Sequence, residues 1–288
     1  MKYYGVSAIA LLVGLSACSS NPNPLAVIDT PMIKYKTEEE IQIIRESADI
    51  LGRAHGEVAK QVKLGVKTKD LDKIAEEFIR DHGAKASFKG YNGFPSTLCI
   101  SVNENVVHGF PGEYELKDGD IISIDCGVFY KGYHSDSAYT YPVGDISVEV
   151  MSLLKATRES LYVGIEHAKF GSRLGDVSSS IQKYVENKGY TVVRELVGHG
   201  VGTNLHESPE VPNYGKSGRG VKLQEGLVIA IEPMVNLGTR NIVQENDGWT
   251  IRTRDRKPSA HFEHMIAVFK DRTEVLTTHK YIEEVFKF

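Results

Sequence analysis

The sequence predicts an α+β fold in which an antiparallel sheet is covered by helices on one face. Two observations lead there. Segments with helical apolar spacing alternate with short β-rich runs in the order helices, strands, helices, strands, which hints at a domain built from two similar halves. The β-rich runs are punctuated by Gly, Pro, Asn and Asp, as paired strands joined by turns would be.

Thr37-Glu38-Glu39-Glu40 forms a capping-box pattern, and Ile41, Ile44, Ala48, Leu51 and Val58 follow at near-helical spacing, so a long amphipathic helix opens the domain. Leu71, Ile74, Ala75, Phe78 and Ile79 give a second helix, which His82-Gly83 stops. The texture changes at Ser87. Residues 112–119 read as a loop, 121–130 and 133–141 as paired strands, and 148–168 as a third helix. A fourth helix is expected over 174–187, followed by further strand and loop material.

The chain has 288 residues, 41% hydrophobic and 25% charged, which suits one large globular domain or two small ones. A net charge of -4 provides no global footprint for nucleic acid, despite the local basic stretch Arg252 to Lys257. Cys18, Cys99 and Cys126 are too few for a disulfide framework and lack the spacing of a structural zinc site, although a Cys99 to Cys126 bridge is compatible with the sequence. At the N-terminus, Lys2 precedes an apolar stretch from Val6 to Leu15, and Leu15-Ser16-Ala17-Cys18 closes it with small residues. This resembles a lipoprotein signal. It implies a signal peptide over residues 1–17, a lipidated Cys18, a polar tether over 18–32 and a catalytic domain over 33–288. The mature protein is then expected at the cell envelope, with Ser19 compatible with the outer membrane; without processing it would be cytoplasmic.

Asp125 interrupts the apolar run Ile121 to Phe129, and Glu232 interrupts Leu227 to Val235, so both carboxylates are expected to be buried. Burying an ionised carboxylate costs several kcal/mol unless a cation or strong donors compensate it. A hairpin centred on Tyr130-Lys131 would set Asp136 directly opposite Asp125, an arrangement that calls for a cation between them. His199 and His206 lie in a glycine-rich stretch, Gly198 to Glu207, where backbone can approach a ligand closely and imidazole can bind a metal or act on substrate. His55, His82, His134 and His279 read as ordinary surface histidines.

Asn103-Glu104-Asn105-Val106-Val107-His108-Gly109, the Asp125–Asp136 hairpin, Gly198-His199-Gly200 with His206, Ile231-Glu232-Pro233-Met234 and His261-Phe262-Glu263-His264 together resemble a type I methionine aminopeptidase, from about Ile33 onward. Asp247-Gly248-Trp249-Thr250 and Ser259-Ala260 strengthen the match. The resemblance implies the pita-bread fold of the M24 metallopeptidases. It also implies two divalent metal ions held by Asp125, Asp136, His199, Glu232 and Glu263, with Asp136 and Glu263 bridging and Glu232 also able to shuttle a proton. Mixed carboxylate and imidazole ligands accept cobalt, manganese, iron and zinc. A metal-activated water would be the nucleophile. His206 would contact the scissile amide, and His108 the substrate or the tetrahedral intermediate. Tyr91, Phe94, Cys99 and Trp249 would surround the methionine side chain, with Leu205 standing where an aromatic residue is usual. The expected partners are peptides and proteins with N-terminal methionine, and the expected state is a monomer that meets the membrane only through Cys18 and binds no nucleic acid. The rival readings are an Xaa-Pro aminopeptidase or prolidase of the same fold, and a relative that binds peptides without catalysis.

Overall fold

The computed structural model describes residues 32–287, so the leader, Cys18 and the tether up to residue 31 lie outside the described residues. Helix α1 spans Glu38–Ala59 and opens with the expected capping box: the Thr37 hydroxyl accepts from the Glu40 amide, and the Glu40 carboxylate accepts from the Thr37 amide at 2.8 Å. Ile41, Ile44, Ala48, Leu51 and Val58 are all buried. Each large aliphatic among them contributes about 1.5–3 kcal/mol by leaving water. Helix α2 spans Thr68–Asp81 and buries Leu71, Ala75 and Ile79. Helices α3 (Val148–His167) and α4 (Leu174–Asn187) match the expected spans, and Ser147 caps α3 by accepting from the Val150 amide. No helix among the described residues is long and apolar enough to cross a membrane.

All the strand pairs among the described residues are antiparallel. In the first half, α1 packs on the Ile121–Tyr130 and Tyr133–Pro142 strands, and α2 packs beside α1. In the second half, α3 and α4 pack together and cover the strands Ser259–His261, Met234–Asn236 and Thr191–Val192. The order of helices, strands, helices, strands is the one expected.

The first hairpin departs from expectation in register. Its turn is Lys131-Gly132, with φ of 48° and 92°, and Tyr130 pairs with Tyr133. Two-residue hairpin loops that match the strand twist need positive φ, which Gly132 adopts without cost. Asp125 therefore faces Ala138, and Asp136 faces Gly127. The two acids are diagonal neighbours on one face and not directly opposed. Ile122, Ile124, Cys126 and Val128 point the other way, into the main core with α1 and α2.

A second correction concerns the run Leu227 to Val235, which is broken at Glu232-Pro233. Val228–Ile231 belongs to a five-stranded sheet and Met234–Asn236 to a three-stranded one. The partner run breaks at the matching place, between Ser259–His261 and His264–Val268. Ile231 pairs with His264 and Met234 with His261, so the register carried through the gap sets Glu232 against Glu263. Both chains thus cross between sheets at one point, each with a glutamate at the crossing.

Candidate active site and metal centre

The two halves meet where these elements touch. The Glu263 amide donates to the Ala138 carbonyl at 3.0 Å, and the Thr140 hydroxyl donates to the His261 carbonyl at 2.8 Å. This contact brings Asp125 and Asp136 from the first hairpin against Glu232 and Glu263 from the crossing. His199 completes the group from the short strand Gly198–Gly200, with its Nε2 3.8 Å from Asp136 Oδ2 and 3.7 Å from Glu232 Oε1. Donor atoms of Asp136, His199 and Glu263 lie within 4.8 Å of one another. Asp136, His199, Glu232 and Glu263 are buried, as expected for the second of the two acids singled out in apolar runs, whereas Asp125 is half-buried.

Hydrogen bonding fixes the imidazole. His199 Nδ1 lies 2.9 Å from the Gly200 carbonyl, which can only accept, so Nδ1 donates there and Nε2 is the nitrogen turned toward the carboxylates. A cation between that nitrogen and the acids would satisfy both. The oxygens repeat the point: Asp125 Oδ1, Asp136 Oδ1 and Glu263 Oε1 are buried with no partner among the described residues. Burial pushes Asp125 up to about 7, reinforced by Glu232, and pushes Glu232 up to about 7, opposed by His199. Burial, followed by the neighbouring carboxylates, raises Asp136 and Glu263 well above the usual range. Four acids that resist ionisation together, with an imidazole nitrogen turned toward them, fit divalent cations bound by oxygen and nitrogen.

Two further histidines flank the cluster. The His206 ring lies 4.2 Å from that of His199, and its Nδ1 is 3.0 Å from the Tyr91 hydroxyl. Burial, then the nearby histidines, lowers it to about 2, so it is neutral across the working range. His108 is held at φ 61°, a strained conformation for a non-glycine residue, and burial lowers it to about 4. Phe94, Cys99 and Leu205 form an apolar cluster with Phe88, against which Tyr91, Phe110 and Trp249 pack. All four residues expected around a methionine side chain are therefore together. Cys99 and Cys126 are free: Cys99 pairs with Asp125 and Cys126 with Leu98, which sends the two thiols to opposite faces.

The structure also corrects and adds. Gly198 and Gly200 are required by neighbouring backbone: a Cβ at Gly198 would lie 2.4 Å from the Ala230 carbonyl oxygen, and one at Gly200 2.4 Å from that of Ser208. His55 and His279 are buried, not superficial. His261, not singled out among the candidate ligands, has its Nε2 3.5 Å from Glu232 Oε2. Its place opposite Met234, next to the crossing, was not visible without the strand pairing.

A buried set of acids and imidazole, three of its carboxylate oxygens without a partner among the described residues, bordered by neutral histidines, defines a metal-dependent hydrolase. The family model described as metallopeptidase family M24 matches residues 42–270. The methionine aminopeptidase of Clostridium perfringens is 54% identical over 246 residues, covering 85% of this chain and 99% of that one, and methionine aminopeptidase 1 of Bacillus subtilis gives the same figures. The crystal structure of methionine aminopeptidase from Thermotoga maritima superposes with a TM-score of 0.84 at 43% identity, covering 86% of this chain and 100% of that one. The chain belongs to the methionine aminopeptidases of metallopeptidase family M24. A prolidase from Pyrococcus furiosus, with a TM-score of 0.69 at 23% identity over 85% of this chain and 65% of that one, shares the pita-bread fold alone.

Proposed function

We propose that this enzyme removes N-terminal methionine from peptides and proteins, with Asp125, Asp136, His199, Glu232 and Glu263 holding two divalent metal ions. The observation that carries the reading is the convergence of four carboxylates, three of them with an orphaned buried oxygen, around His199, whose Nε2 is turned toward them. Asp136 and Glu263 would be shared between the ions, His199 and Glu232 would hold one, and Asp125 would hold the other. When bound, the ions supply the charge that activates water and stabilises the oxyanion of the scissile carbonyl.

The chain's own groups do the rest. Phe94, Cys99, Tyr91 and Trp249, with Leu205, form a dry wall on which a flexible thioether packs. The Nε2 side of neutral His206 faces the scissile amide, while Tyr91 holds its Nδ1 side. His108 meets the substrate across the cleft. Glu232, placed beside the ions and the substrate, would take a proton from water and pass it to the leaving amine. Assaying Met-Ala-Ser and an Ala-Pro peptide, with and without a chelator, tests the proposal. Methionine is released, the chelator stops it, and added divalent metal restores it; release from Ala-Pro without methionine would overturn the assignment.

For location, the motif Leu15-Ser16-Ala17-Cys18 supports a lipid anchor at Cys18, a tether over 18–32 and a catalytic domain over 33–288 facing the cell envelope. Intact-mass analysis of protein from its own host tests this reading. An unprocessed Met1 without lipid would refute it.

A further inference from the structure

We propose that Lys36, on the segment that enters the domain ahead of α1, is a positioning residue for His206, acting through Glu207. The proposal rests on the role given above to His206. Lys36 Nζ lies 2.7 Å from Glu207 Oε2, and the two side chains are only 4% and 2% exposed. Glu207 is the residue directly after His206, so whatever fixes its carboxylate fixes the backbone that presents the imidazole. Its other oxygen, Oε1, accepts from the Asn204 amide at 3.0 Å and the Thr203 hydroxyl at 3.1 Å, which closes the 203–207 loop on itself. Lys34 reaches the same loop, donating to the Thr203 hydroxyl at 3.2 Å.

Lys36 is itself well anchored. Its amide donates to the Gly226 carbonyl at 2.7 Å, and its ammonium donates to the Lys34 carbonyl at 3.0 Å. The loop presses so closely on its stem that a Cβ at Gly202 would lie 2.5 Å from Lys36 Cε. On the opposite side, the His134 amide holds the Gly202 carbonyl at 2.8 Å. Tyr91 holds the imidazole at Nδ1, while Lys36, with Lys34 3.5 Å from the other carboxylate oxygen of Glu207, ties the backbone beside His206 to a distant part of the chain. A buried ion pair is a poor stabiliser compared with an apolar pair of the same shape; what it supplies is a fixed geometry. The segment that follows the tether is therefore part of the active-site framework.

The test measures kcat and KM on Met-Ala-Ser for the full-length, metal-loaded enzyme and its variants. Lys36→Met lowers kcat on the order of 10- to 100-fold with little change in KM, as expected when a reacting group is displaced by about an ångström. Lys36→Arg recovers most of the loss. The double variant Lys36→Met with Glu207→Leu leaves no orphaned charge, so it folds and shows the same loss in kcat. Bound metal per chain stays as in the parent, and Arg45→Met, which breaks the 2.7 Å ion pair between Arg45 on α1 and Glu274, keeps the parent's kcat. In a His206→Ala background, Lys36→Met has no further effect. An unchanged kcat in the folded double variant, or an equal loss with and without His206, overturns the proposal. A parent enzyme that releases no methionine would overturn the reading beneath it.

Discussion

His55 carries a stability cost that depends on pH, and its size follows from the structure. It sits on α1 at 2% exposure, with Nε2 2.9 Å from the Ser137 carbonyl. A carbonyl only accepts, so Nε2 is the protonated nitrogen, and the Nδ1 lone pair is buried without a partner among the described residues. Burial lowers its pKa from 6.5 to about 4. Its neighbours His264 and His279 are also buried and also shifted downward, so they add no charge that would hold a proton on His55. Between the two pKa values the unfolded chain binds a proton that the native protein refuses, so stability falls as pH falls through that window and is unaffected above it. The loss runs at about 1.4 kcal/mol per pH unit, or about 2 kcal/mol by about pH 5. His55→Gln keeps a donor within reach of Ser137 and removes the titration. Urea unfolding at about pH 7.5 and about pH 5 measures the difference, because contributions from the carboxylates and from metal release are common to both proteins. The parent loses about 2 kcal/mol more than the variant on acidification. Equal losses would show that His55 is not buried neutral and would refute the reasoning.

Three other outcomes follow from the site. His206→Ala should lower kcat by about 10²–10³-fold while metal analysis still finds the parent's metal content. Phe94→Ala removes a ring that is 2% exposed and packed 5.3 Å from Trp249 and 5.4 Å from Phe110, centroid to centroid. Thermal melts should show a loss of about 3–5 kcal/mol, and kinetics a raised KM for methionyl peptides. Gly200→Ala forces a methyl against the Ser208 carbonyl, and denaturant unfolding should register a loss of about 1–3 kcal/mol or more.

Local signals were legible where a local cause produces them. The capping box at Thr37 and the apolar stripe behind it specify α1, and the same periodicity gives α4 within its observed bounds. The hairpin was legible as a hairpin, but its register depended on which residues occupy the turn. Gly132 was the available signal, and centring the turn one residue early opposed Asp125 to Asp136 directly when they are diagonal. The five acid and imidazole positions were legible because burying charge in apolar strands is itself unusual. Their assembly was not, since it depends on two runs crossing between sheets at Glu232 and Glu263. His55, His261 and His279 were missed for a related reason. What buries each of them lies far away in sequence, as with Ser137 against His55 and His279, and nothing beside them marks it.

The seam between the halves has a consequence for the order in which the enzyme comes alive. Asp125 and Asp136 belong to one half, His199, Glu232 and Glu263 to the other, and the last of them takes its place only when the His264–Val268 strand docks along Val228–Ile231. Pairings between segments distant in sequence are opposed by the entropy of closing the intervening loop, so they are slow to form. A growing or half-folded chain therefore holds no working centre. Hydrolysis begins only with the finished molecule, which makes methionine release a direct reporter of complete folding and keeps partly made copies inert toward their neighbours.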